Sequence, residues 1–387
     1  MKIALLTPDF PSKGNPTFVF VQQLVFALVD QGQEVTVIAP QSLTHMLLRG
    51  GKLLPKFSIG ITQNANRFNI YRPYDITFGS RFASLTKLTN CIFNKQLVSI
   101  LQKENPDILY GHFWHTAYRL KNYALQNSIP LFVACGEGDN ALEQLAESLS
   151  RKNKRELVQV VKGVISVSSE NKCKCVAFGL AKEEDVVVLP NCVDDSLFHP
   201  ADSSELRSKL GVTDNDLFVL FVGGFITRKG PDRLSQAIDR INDPRVKVAF
   251  IGKPMAGDSI MPSCKGIVYQ GPLDHDLLPA YFNAADVFVL PTQKEGCSNA
   301  IVEALACGVP VISADRPFNA DILNEHNSIM MDPDNVDEIV TAITTLLNNK
   351  DILETKRKYT REHASGYSIV GRANKIVEFI KLKINNL

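Results

Sequence analysis

The sequence predicts an α/β protein of two domains, each built around a parallel sheet. Short apolar runs of strand length alternate with amphipathic helical patterns along the whole chain, an order typical of β-α-β units. The alternation begins at Met1 and starts again at Leu217. A chain of 387 residues is too long for one compact core, so two domains of ordinary size fit it.

The N-terminal third supplies the first β-α-β unit. A strand over residues 1–7 is followed by a glycine- and proline-containing loop, Pro11 to Pro16, then an apolar helix through Leu28 and a strand at Val35 to Ala39. The loop lacks the G-x-G-x-x-G pattern of dinucleotide-binding folds. Gly14 is its residue best able to let the backbone approach a ligand, and an ordinary turn is the competing interpretation.

A later strand in this half ends in polar aromatic residues. The segment Asp107-Ile-Leu-Tyr-Gly-His112-Phe-Trp-His115 puts His112 at the end of a short buried strand. Open α/β sheets bind ligands at strand ends, so His112 is a candidate site residue, with a hydrogen-bonded structural role as the alternative. Trp114 and His115 are weaker candidates because aromatic residues at strand ends more often serve packing.

The C-terminal half contains a basic turn after a buried strand. An apolar run over Phe218 to Val222 is followed by two glycines, and Arg228 and Lys229 come just before Pro231, which opens an amphipathic helix. A fixed cation at a strand end stabilises a departing diphosphate without waiting for solvent to reorganise. Arg228 and Lys229 are therefore phosphate-binding candidates, and two solvated loop charges are the alternative.

Two carboxylates flank a loop-to-helix junction, Glu295-Gly-Cys-Ser-Asn-Ala-Ile-Val-Glu303. Ser298 and Asn299 are both candidate N-caps, and the free N–H groups of such a helix start suit a diphosphate. Glu303 lies about one turn into the helix, where its two oxygens suit the two hydroxyls of a ribose. Glu295, in the loop, is placed to meet other hydroxyls. A purely structural glutamate favoured by the helix dipole is the alternative.

These segments resemble family 4 glycosyltransferases over essentially the whole chain. The junction is similar to the E-x7-E signature of that family, including the ending Glu303-Ala-Leu-Ala-Cys-Gly-Val-Pro-Val. The resemblance implies that Glu295 meets donor-sugar hydroxyls and that Glu303 meets the nucleotide ribose. It also implies backbone N–H contacts to the donor from four consecutive residues, Gly296, Cys297, Ser298 and Asn299.

The basic turn is similar to the family's Val-Gly-Arg-x4-Lys-Gly pattern with one departure. Lys229 matches the lysine, whereas Gly224 stands where the family usually has a phosphate-binding arginine. Arg228 is the candidate to replace that arginine, from a different backbone position. The family's Asp-hydrophobic-x-x-x-His pattern matches His112, which implies a place near the transferred sugar and the acceptor.

The resemblance extends to two further loops and to the fold. It implies that the Gly14 loop borders the donor and the acceptor. It also implies that the segment from Gly271 to Leu273 lines the pocket for the nucleotide base. It also implies a GT-B fold, two Rossmann-like, doubly wound parallel-sheet domains facing an interdomain cleft. We predict an acceptor-binding domain over 1–195, a nucleotide-sugar-binding domain over 196–366, and a helix over 367–387 that crosses back to the first domain.

Composition argues against several other classes of protein. Lys plus Arg number 42 against 41 Asp plus Glu, so no field of one sign indicates a nucleic-acid partner. No apolar run is long enough for a spanning helix, and the first strand starts too early for a secretory signal, so we expect a cytoplasmic protein, at the inner membrane face if its acceptor is lipid-linked. The basic, apolar segment 41–58 indicates either peripheral membrane contact or an acceptor-side loop.

Metal-dependent transferases hold a divalent cation with a D-x-D motif, and three such triplets occur. Each has an explanation as a turn or a helix start. We therefore expect no metal and no other cofactor. The triplets are Asp214-Asn-Asp216, Asp274-His-Asp276 and Asp332-Pro-Asp334.

The sequence thus predicts a retaining hexosyltransferase that uses a nucleotide-diphosphate sugar, taken to be UDP-linked, and a glycan or lipid-linked acceptor. Surface polysaccharide synthesis, of capsule or lipopolysaccharide, is the expected setting. An epimerase or a phosphorylase-like enzyme is the alternative within the same fold. A nonenzymatic sugar-nucleotide-binding protein is the alternative from a different class.

Overall fold

The computed structural model describes residues 1–12, 17–44, 53–76, 83–138 and 140–385, with only the backbone for residues 83–88. The chain divides into two compact units. Unit 1 comprises residues 1–167, 171–189 and 373–387, and unit 2 comprises residues 168–170 and 190–372. The functional domain limits predicted after residues 195 and 366 stay a prediction.

Unit 1 is a mainly parallel sheet with flanking helices. Its strands are β1 (Lys2–Leu6), β2 (Glu34–Ile38), β3 (Gln41–Ser42), β4 (Phe57–Ile61), β5 (Arg67–Tyr71), β6 (Tyr74–Asp75), β7 (Ile108–His112), β8 (Leu131–Cys135), β9 (Val161–Ser166) and β10 (Val186–Val188). Over the described residues they form an eight-stranded sheet in the order β10-β9-β8-β7-β1-β2-β5-β4 and a two-stranded sheet β3-β6. All pairings are parallel except that β4 runs antiparallel to β5.

The helices of unit 1 pack apolar faces on this sheet. They are α1 (Val19–Asp30), α2 (Ala83–Glu104), α3 (Trp114–Asn127), α4 (Ala141–Ser148), α5 (Arg151–Val160) and most of α6 (Ser169–Ala177). In α1, for example, Val21, Leu24, Val25 and Leu28 are buried, a spacing that puts them on one face of a helix. Since β1 lies between β2 and β7, the direction of strand addition reverses there, and His112 ends β7 at this switch point.

Unit 2 repeats the architecture with parallel strands throughout its described sheet. Its strands are β11 (Leu217–Val222), β12 (Val246–Ile251), β13 (Ile267–Gly271), β14 (Val287–Leu290), β15 (Val311–Ala314) and β16 (Ser328–Met331), in the order β13-β12-β11-β14-β15-β16. Strands β11 and β14 are almost entirely buried, which is why they are continuous apolar runs in the sequence. The switch point of this sheet lies between β11 and β14.

The helices of unit 2 are α7 (Ser204–Lys209), α8 (Pro231–Ile241), α9 (Leu278–Ala284), α10 (Asn299–Ala306), α11 (Val336–Asn348) and α12 (Lys350–His363). The last helix, α13 (Ile369–Asn385), begins in unit 2, and its residues from Ala373 onwards belong to unit 1. The predicted class, two α/β units with parallel sheets, is therefore confirmed. None of these described helices combines the length and apolar composition that crossing a bilayer requires.

Candidate functional site

The candidate donor site lies in unit 2, where the loops after β11 and β14 meet at the switch point of the sheet. The first loop carries a short 3-10 turn over Thr227–Lys229, and the second carries Glu295. The backbone N–H of Gln293 donates to the carbonyl oxygen of Arg228 at 2.9 Å, which joins the two loops directly. The position matches the general rule that open α/β sheets bind ligands beyond the carboxyl ends of strands at such a point.

A buried arginine on α8 fixes the geometry of this junction. Arg233 donates from Nη1 to the carbonyl oxygen of Thr227 at 2.9 Å and from Nη2 to that of Pro291 at 2.7 Å. Gly230 adopts a left-handed φ of 74°, and a Cβ there would lie 2.5 Å from Arg233 Nη2 and 2.7 Å from the Pro291 oxygen. Only glycine at position 230 allows the Arg233 guanidinium and the Pro291 oxygen to lie this close to the backbone. Gly230 and Arg233 therefore fix the separation of the two loops.

Three side chains converge on one oxygen of Glu295. Its Oε1 accepts hydrogen bonds from Lys229 Nζ, from Arg228 Nη1 at 3.1 Å and from Thr292 Oγ1 at 2.8 Å. Arg228 Nη1 also donates to the carbonyl oxygen of Lys294. The structure therefore brings together residues that the sequence predicted from two separate segments, Arg228 and Lys229 from one and Glu295 from the other.

The cluster is largely withdrawn from solvent and carries a net positive charge. The side chains of Glu295, Lys229 and Arg228 are 11%, 16% and 31% exposed. Two cations share one carboxylate, so the three groups together have a formal charge of +1. Because screening by water is reduced here, an arriving anion interacts with this charge more strongly than it would at an exposed surface.

The departure from the family pattern at Gly224 has a local steric counterpart. A Cβ at Gly224 would lie 3.0 Å from Met255 Sδ, so any longer side chain there would require Met255 to move. The guanidinium of Arg228 reaches Glu295 from four positions further along the chain. A guanidinium is therefore present beside this carboxylate although the expected backbone position holds glycine.

Helix α10 begins at Asn299, within the segment predicted to contact the donor through backbone N–H groups. Ser298 is its N-cap, one of the two predicted, and in the part of the chain that the structure describes its side chain makes no capping hydrogen bond. Asn191 instead holds this turn, because its Nδ2 donates to the carbonyl oxygen of Cys297 at 3.1 Å and to Asn299 Oδ1 at 2.8 Å. Gly296 to Ser298 are buried. Burial raises the pKa of the Cys297 thiol to about 12, so this residue is neutral at physiological pH.

Glu303 lies on α10 and contacts a residue that the sequence analysis did not propose. His275 Nε2 is 3.4 Å from Glu303 Oε1, and the hydrogen bond to Glu303 raises the pKa of His275 against the opposing effect of burial. His275 opens a 3-10 turn soon after β13. The predicted base-pocket residues precede it: Gly271 ends β13 with φ 150°, and Leu273 is partly buried in the following loop.

His112 belongs to unit 1 and lies in an aromatic setting at the end of β7. It is buried, with ring centroids 4.7 Å from that of Phe113 and 5.5 Å from that of Phe20. Its carbonyl oxygen accepts from Thr116 Oγ1 at 2.8 Å. Phe113 has φ 78° and ψ 155°, a region used almost only by glycine, and such strain of about 1–3 kcal/mol occurs preferentially at functional sites.

Some predicted features are not placed by the structure, and others were missed. Gly14 and residues 45–52 of the basic, apolar segment lie outside the described residues. Thr292, Arg233 and His275 were not proposed from sequence as site residues. The sequence signal nearest to His275 is the Asp274-His-Asp276 triplet, which we weighed as a metal motif and explained as a helix start after a turn. Over the described residues, no group of His, Cys, Asp and Glu side chains is arranged to hold a metal ion.

Two models of known protein families match this chain. Residues 18–197 match the model described as Glycosyltransferase Family 4, and residues 202–364 match the model described as Glycosyl transferases group 1. The first match lies largely in unit 1 and the second lies within unit 2, and together they span most of the chain. The chain is a family 4 glycosyltransferase. The cluster of Arg228, Lys229 and Glu295 in this family 4 enzyme lies within residues 202–364, the segment that matches the group 1 model.

Individual relatives of this glycosyltransferase have low sequence identity to it, but the similarity extends over most of both chains. It is 26% identical over 359 residues to TuaC of Bacillus subtilis (strain 168), provisionally named a glycosyltransferase of teichuronic acid biosynthesis, covering 89% of this chain and 88% of that protein. It is 24% identical over 313 residues to the UDP-Gal:alpha-D-GlcNAc-diphosphoundecaprenol alpha-1,3-galactosyltransferase of Escherichia coli, covering 75% and 79%.

Solved structures extend the likeness to the whole fold. Sucrose-phosphate synthase from Thermosynechococcus elongatus superimposes with a TM-score of 0.76 at 17% identity, covering 100% of both chains. Anabaena HepE, solved in complex with UDP, superimposes with a TM-score of 0.73 at 19% identity, covering 98% of this chain and 100% of that one. The predicted GT-B fold is thus confirmed.

Proposed function

We propose that this glycosyltransferase moves a hexose from a nucleotide-diphosphate sugar, with UDP as the nucleotide, to a glycan or lipid-linked acceptor with retention of anomeric configuration. The observation that carries the proposal is the convergence of Lys229 and Arg228 on Glu295 beside the start of α10. This arrangement offers positive charge and a sugar-binding carboxylate within one partly buried cluster. A nucleotide-diphosphate hexose needs positive charge for its diphosphate and a hydrogen-bond acceptor for its sugar hydroxyls.

The diphosphate is the part of the donor that the cations suit. Lys229 and Arg228 exceed the charge of Glu295 by one, and the N-terminus of α10 adds the positive end of a helix dipole. When the donor arrives, its phosphate oxygens compete for the cations, and Glu295 gains freedom to accept from sugar hydroxyls. The backbone N–H groups of Gly296 to Asn299 supply the remaining donors in this proposal.

The nucleoside is proposed to bind along Glu303. Its carboxylate is mostly buried and has acceptor capacity for two vicinal hydroxyls. The loop with Gly271 and Leu273 is assigned to the base. UDP is favoured over other nucleotides because HepE is described with bound UDP and the Escherichia coli relative is named as a UDP-Gal enzyme.

The proposed reaction breaks the bond between the sugar C1 and the phosphate oxygen, and the electron pair stays on the departing diphosphate. Lys229 and Arg228 stabilise this charge as the sugar gains oxocarbenium character. The acceptor oxygen then bonds to C1 on the same face and gives its proton to the departing phosphate oxygen. No carboxylate nucleophile is needed. The resemblance to the family assigns His112 a place near the transferred sugar in this proposal.

The decisive experiment measures donor binding and then transfer. Calorimetry with UDP should give a tenfold or greater loss of affinity for Glu303→Ala, since a carboxylate bonded to two hydroxyls is removed. Acceptor-dependent release of UDP should follow, with the product anomer matching the donor by NMR. Conversion of donor without acceptor would indicate an epimerase instead, and binding without turnover on any acceptor would indicate a sensor.

Metal independence is a separate part of the proposal. The two cations and the helix start are proposed to provide the charge that a divalent ion provides in D-x-D enzymes. Turnover should be the same with EDTA and with added Mg²⁺ or Mn²⁺. A rate that falls with EDTA and returns with one of these ions would overturn this part without affecting the donor assignment.

For the acceptor, we propose contact with an anionic membrane through the outer strand of unit 1. On β4, Phe57, Ile59 and Ile61 share one face and are 44%, 52% and 57% exposed. Lys103 Nζ lies 5.5 Å from the Phe57 ring centroid, and Arg67 is paired with Ile61 across the strands. Exposed apolar side chains bordered by cations suit the surface of a bilayer with anionic lipids.

One carboxylate lies near this strand. Glu104 accepts from Tyr71 Oη at 2.6 Å, from Asn69 Nδ2 at 2.9 Å and from Thr36 Oγ1 at 2.9 Å, so its oxygens are occupied within the protein while its negative charge remains. Lys103 and Arg67 together exceed that single charge by one. A lipid-linked acceptor is consistent with the diphosphoundecaprenol in the name of the Escherichia coli relative. A membrane-bound substrate makes surface attachment of the enzyme useful.

Vesicle sedimentation tests the membrane contact. The wild-type chain should bind vesicles of phosphatidylcholine with phosphatidylglycerol, and binding should fall with salt and in the double variant Ile59→Ser, Ile61→Ser. Met261→Ser, which removes an exposed apolar residue from unit 2, is the matched control and should bind as the wild type does. Equal binding by both variants, or a dimer that the double variant dissociates, would overturn the assignment to lipid.

A further inference from the structure

The side chain of His275, on a 3-10 turn, lies next to the carboxylate of Glu303, on helix α10. It is partly buried, and its Nε2 lies 3.4 Å from Glu303 Oε1. The side chain comes from the 3-10 turn between β13 and α9, so the contact joins two elements that are 28 positions apart in the chain.

The imidazole also packs against an aromatic ring. The rings of Phe198 and His275 make an edge-to-face contact, with 5.2 Å between their centroids and 64° between their planes. Phe198 is itself buried and packs against Phe282 at 6.1 Å. Because the supporting aromatic is anchored in the core of unit 2, the imidazole has little freedom to move away from the carboxylate.

The carboxylate of Glu303 is held at one oxygen. Among the described residues, Oε2 has no hydrogen-bond partner, whereas Oε1 has the contact to His275. The terminal torsion of a glutamate is broad, so a carboxylate without such a contact samples many orientations. With Oε1 held, the orientation of Oε2 is also restricted.

We propose that His275 is a positioning residue that orients the Glu303 carboxylate for the two hydroxyls of the donor ribose. The inference rests on the proposed function, in which Glu303 binds that ribose. Pre-ordering the carboxylate removes part of the entropy cost that donor binding would otherwise carry. His275 touches neither the reacting bond nor the diphosphate in this scheme, so its contribution belongs to donor affinity.

The charges around His275 favour this arrangement. Glu303 faces it from α10, Asp276 lies on its own turn, and Asp194 acts on it from the segment before Phe198. The hydrogen bond to Glu303 and the three negative charges favour the protonated ring, and burial opposes it. Both the cation and the Nε2–H tautomer of the neutral ring can donate to Oε1, so the orienting bond does not require one protonation state.

The test compares ligands with and without the ribose hydroxyls. UDP and 2′,3′-dideoxyuridine diphosphate are titrated into the wild type, His275→Phe and His275→Gln. We expect His275→Phe to lower the affinity for UDP about tenfold and to leave the affinity for the dideoxy analogue unchanged. His275→Gln keeps an N–H donor and should recover most of the affinity. In turnover, His275→Phe should raise the donor KM by the same factor with kcat unchanged, the pattern of lost uniform binding.

A second histidine provides a matched control. His326 Nε2 lies 3.5 Å from Glu325 Oε1, and this exposed pair is also in unit 2. His326→Phe should bind both ligands as the wild type does. Equal weakening of both ligands by His275→Phe, or no weakening of either, would overturn the inference. Wild-type protein that binds UDP and the dideoxy analogue equally would instead refute the ribose assignment of Glu303, and the inference would fall with it.

Discussion

Replacing Lys229 by methionine tests the charge cluster most directly. Methionine keeps the length and most of the volume of the side chain and removes only the ammonium group. In the structure that group donates to Glu295 Oε1, with Arg228 and Thr292 bound to the same oxygen. The substitution therefore removes one cation and leaves a carboxylate that still has two donors.

The expected loss of activity is larger than the expected loss of stability. Removing one fixed donor aimed at a developing negative charge costs roughly 10²–10³ in kcat, or about 2.7–4 kcal/mol. The remaining donors to Glu295 limit the cost to folding to about 1.5–3 kcal/mol, the range for a hydrogen bond to a charged group. For a domain of this size that corresponds to a fall in Tm of several degrees.

The assay is acceptor-dependent UDP release well below the Tm, with Lys265→Met as the control. Lys265 is exposed on unit 2, and its Nζ donates to Asn242 Oδ1 at 2.7 Å, so the control also removes one ammonium hydrogen bond. We expect a hundredfold or greater difference in kcat between the two variants. Equal kcat values with an intact fold would refute the assignment of Lys229 to the leaving group.

Four further outcomes are expected. Thr292→Val removes the 2.8 Å bond to Glu295 and should lower kcat/KM about tenfold by steady-state kinetics, with little change in volume. His275, whose pKa is raised from 6.5 mainly by its bond to Glu303, should stabilise the fold fully below about pH 6.5 and lose that effect as the pH rises through its raised pKa. Denaturant unfolding should thus show the wild type losing its advantage over His275→Gln from pH 6 to pH 9. The Cys297 thiol, with a pKa of about 12, should resist alkylation at pH 8 until the protein unfolds, as followed by mass spectrometry. EDTA should leave the turnover rate unchanged.

The sequence predicted the elements of the site better than their contacts. The strands that became β11 and β14 were evident because residues buried on both faces form continuous apolar runs. Ser298 was one of two candidate N-caps and is the N-cap of α10. Lys229 and Glu295 were each proposed from local motifs, yet their hydrogen bond joins positions 66 residues apart and no local pattern encodes it.

The residues missed from sequence share a physical reason. Arg233 is inside an amphipathic helix, where an arginine usually faces solvent, but here it is buried and bonds to the Pro291 carbonyl oxygen 58 positions away. His275 lies in a triplet that we explained from sequence as a helix start, so its side chain was assigned no partner. Its contact with Glu303 exists only when β13 and α10 are positioned by the same sheet.

By itself, the sequence determined the alternation of strands and helices, the two-unit plan and the residue types that suit a sugar nucleotide, since periodicity, capping and motif spacing act over a few residues. Only the tertiary structure decided which loops meet. The pairing of β11 with β14 brings their carboxyl ends together, and this places Arg228, Lys229 and Thr292 around one oxygen of Glu295. Strand order depends on the packing of the whole sheet, and that information is not local to any motif.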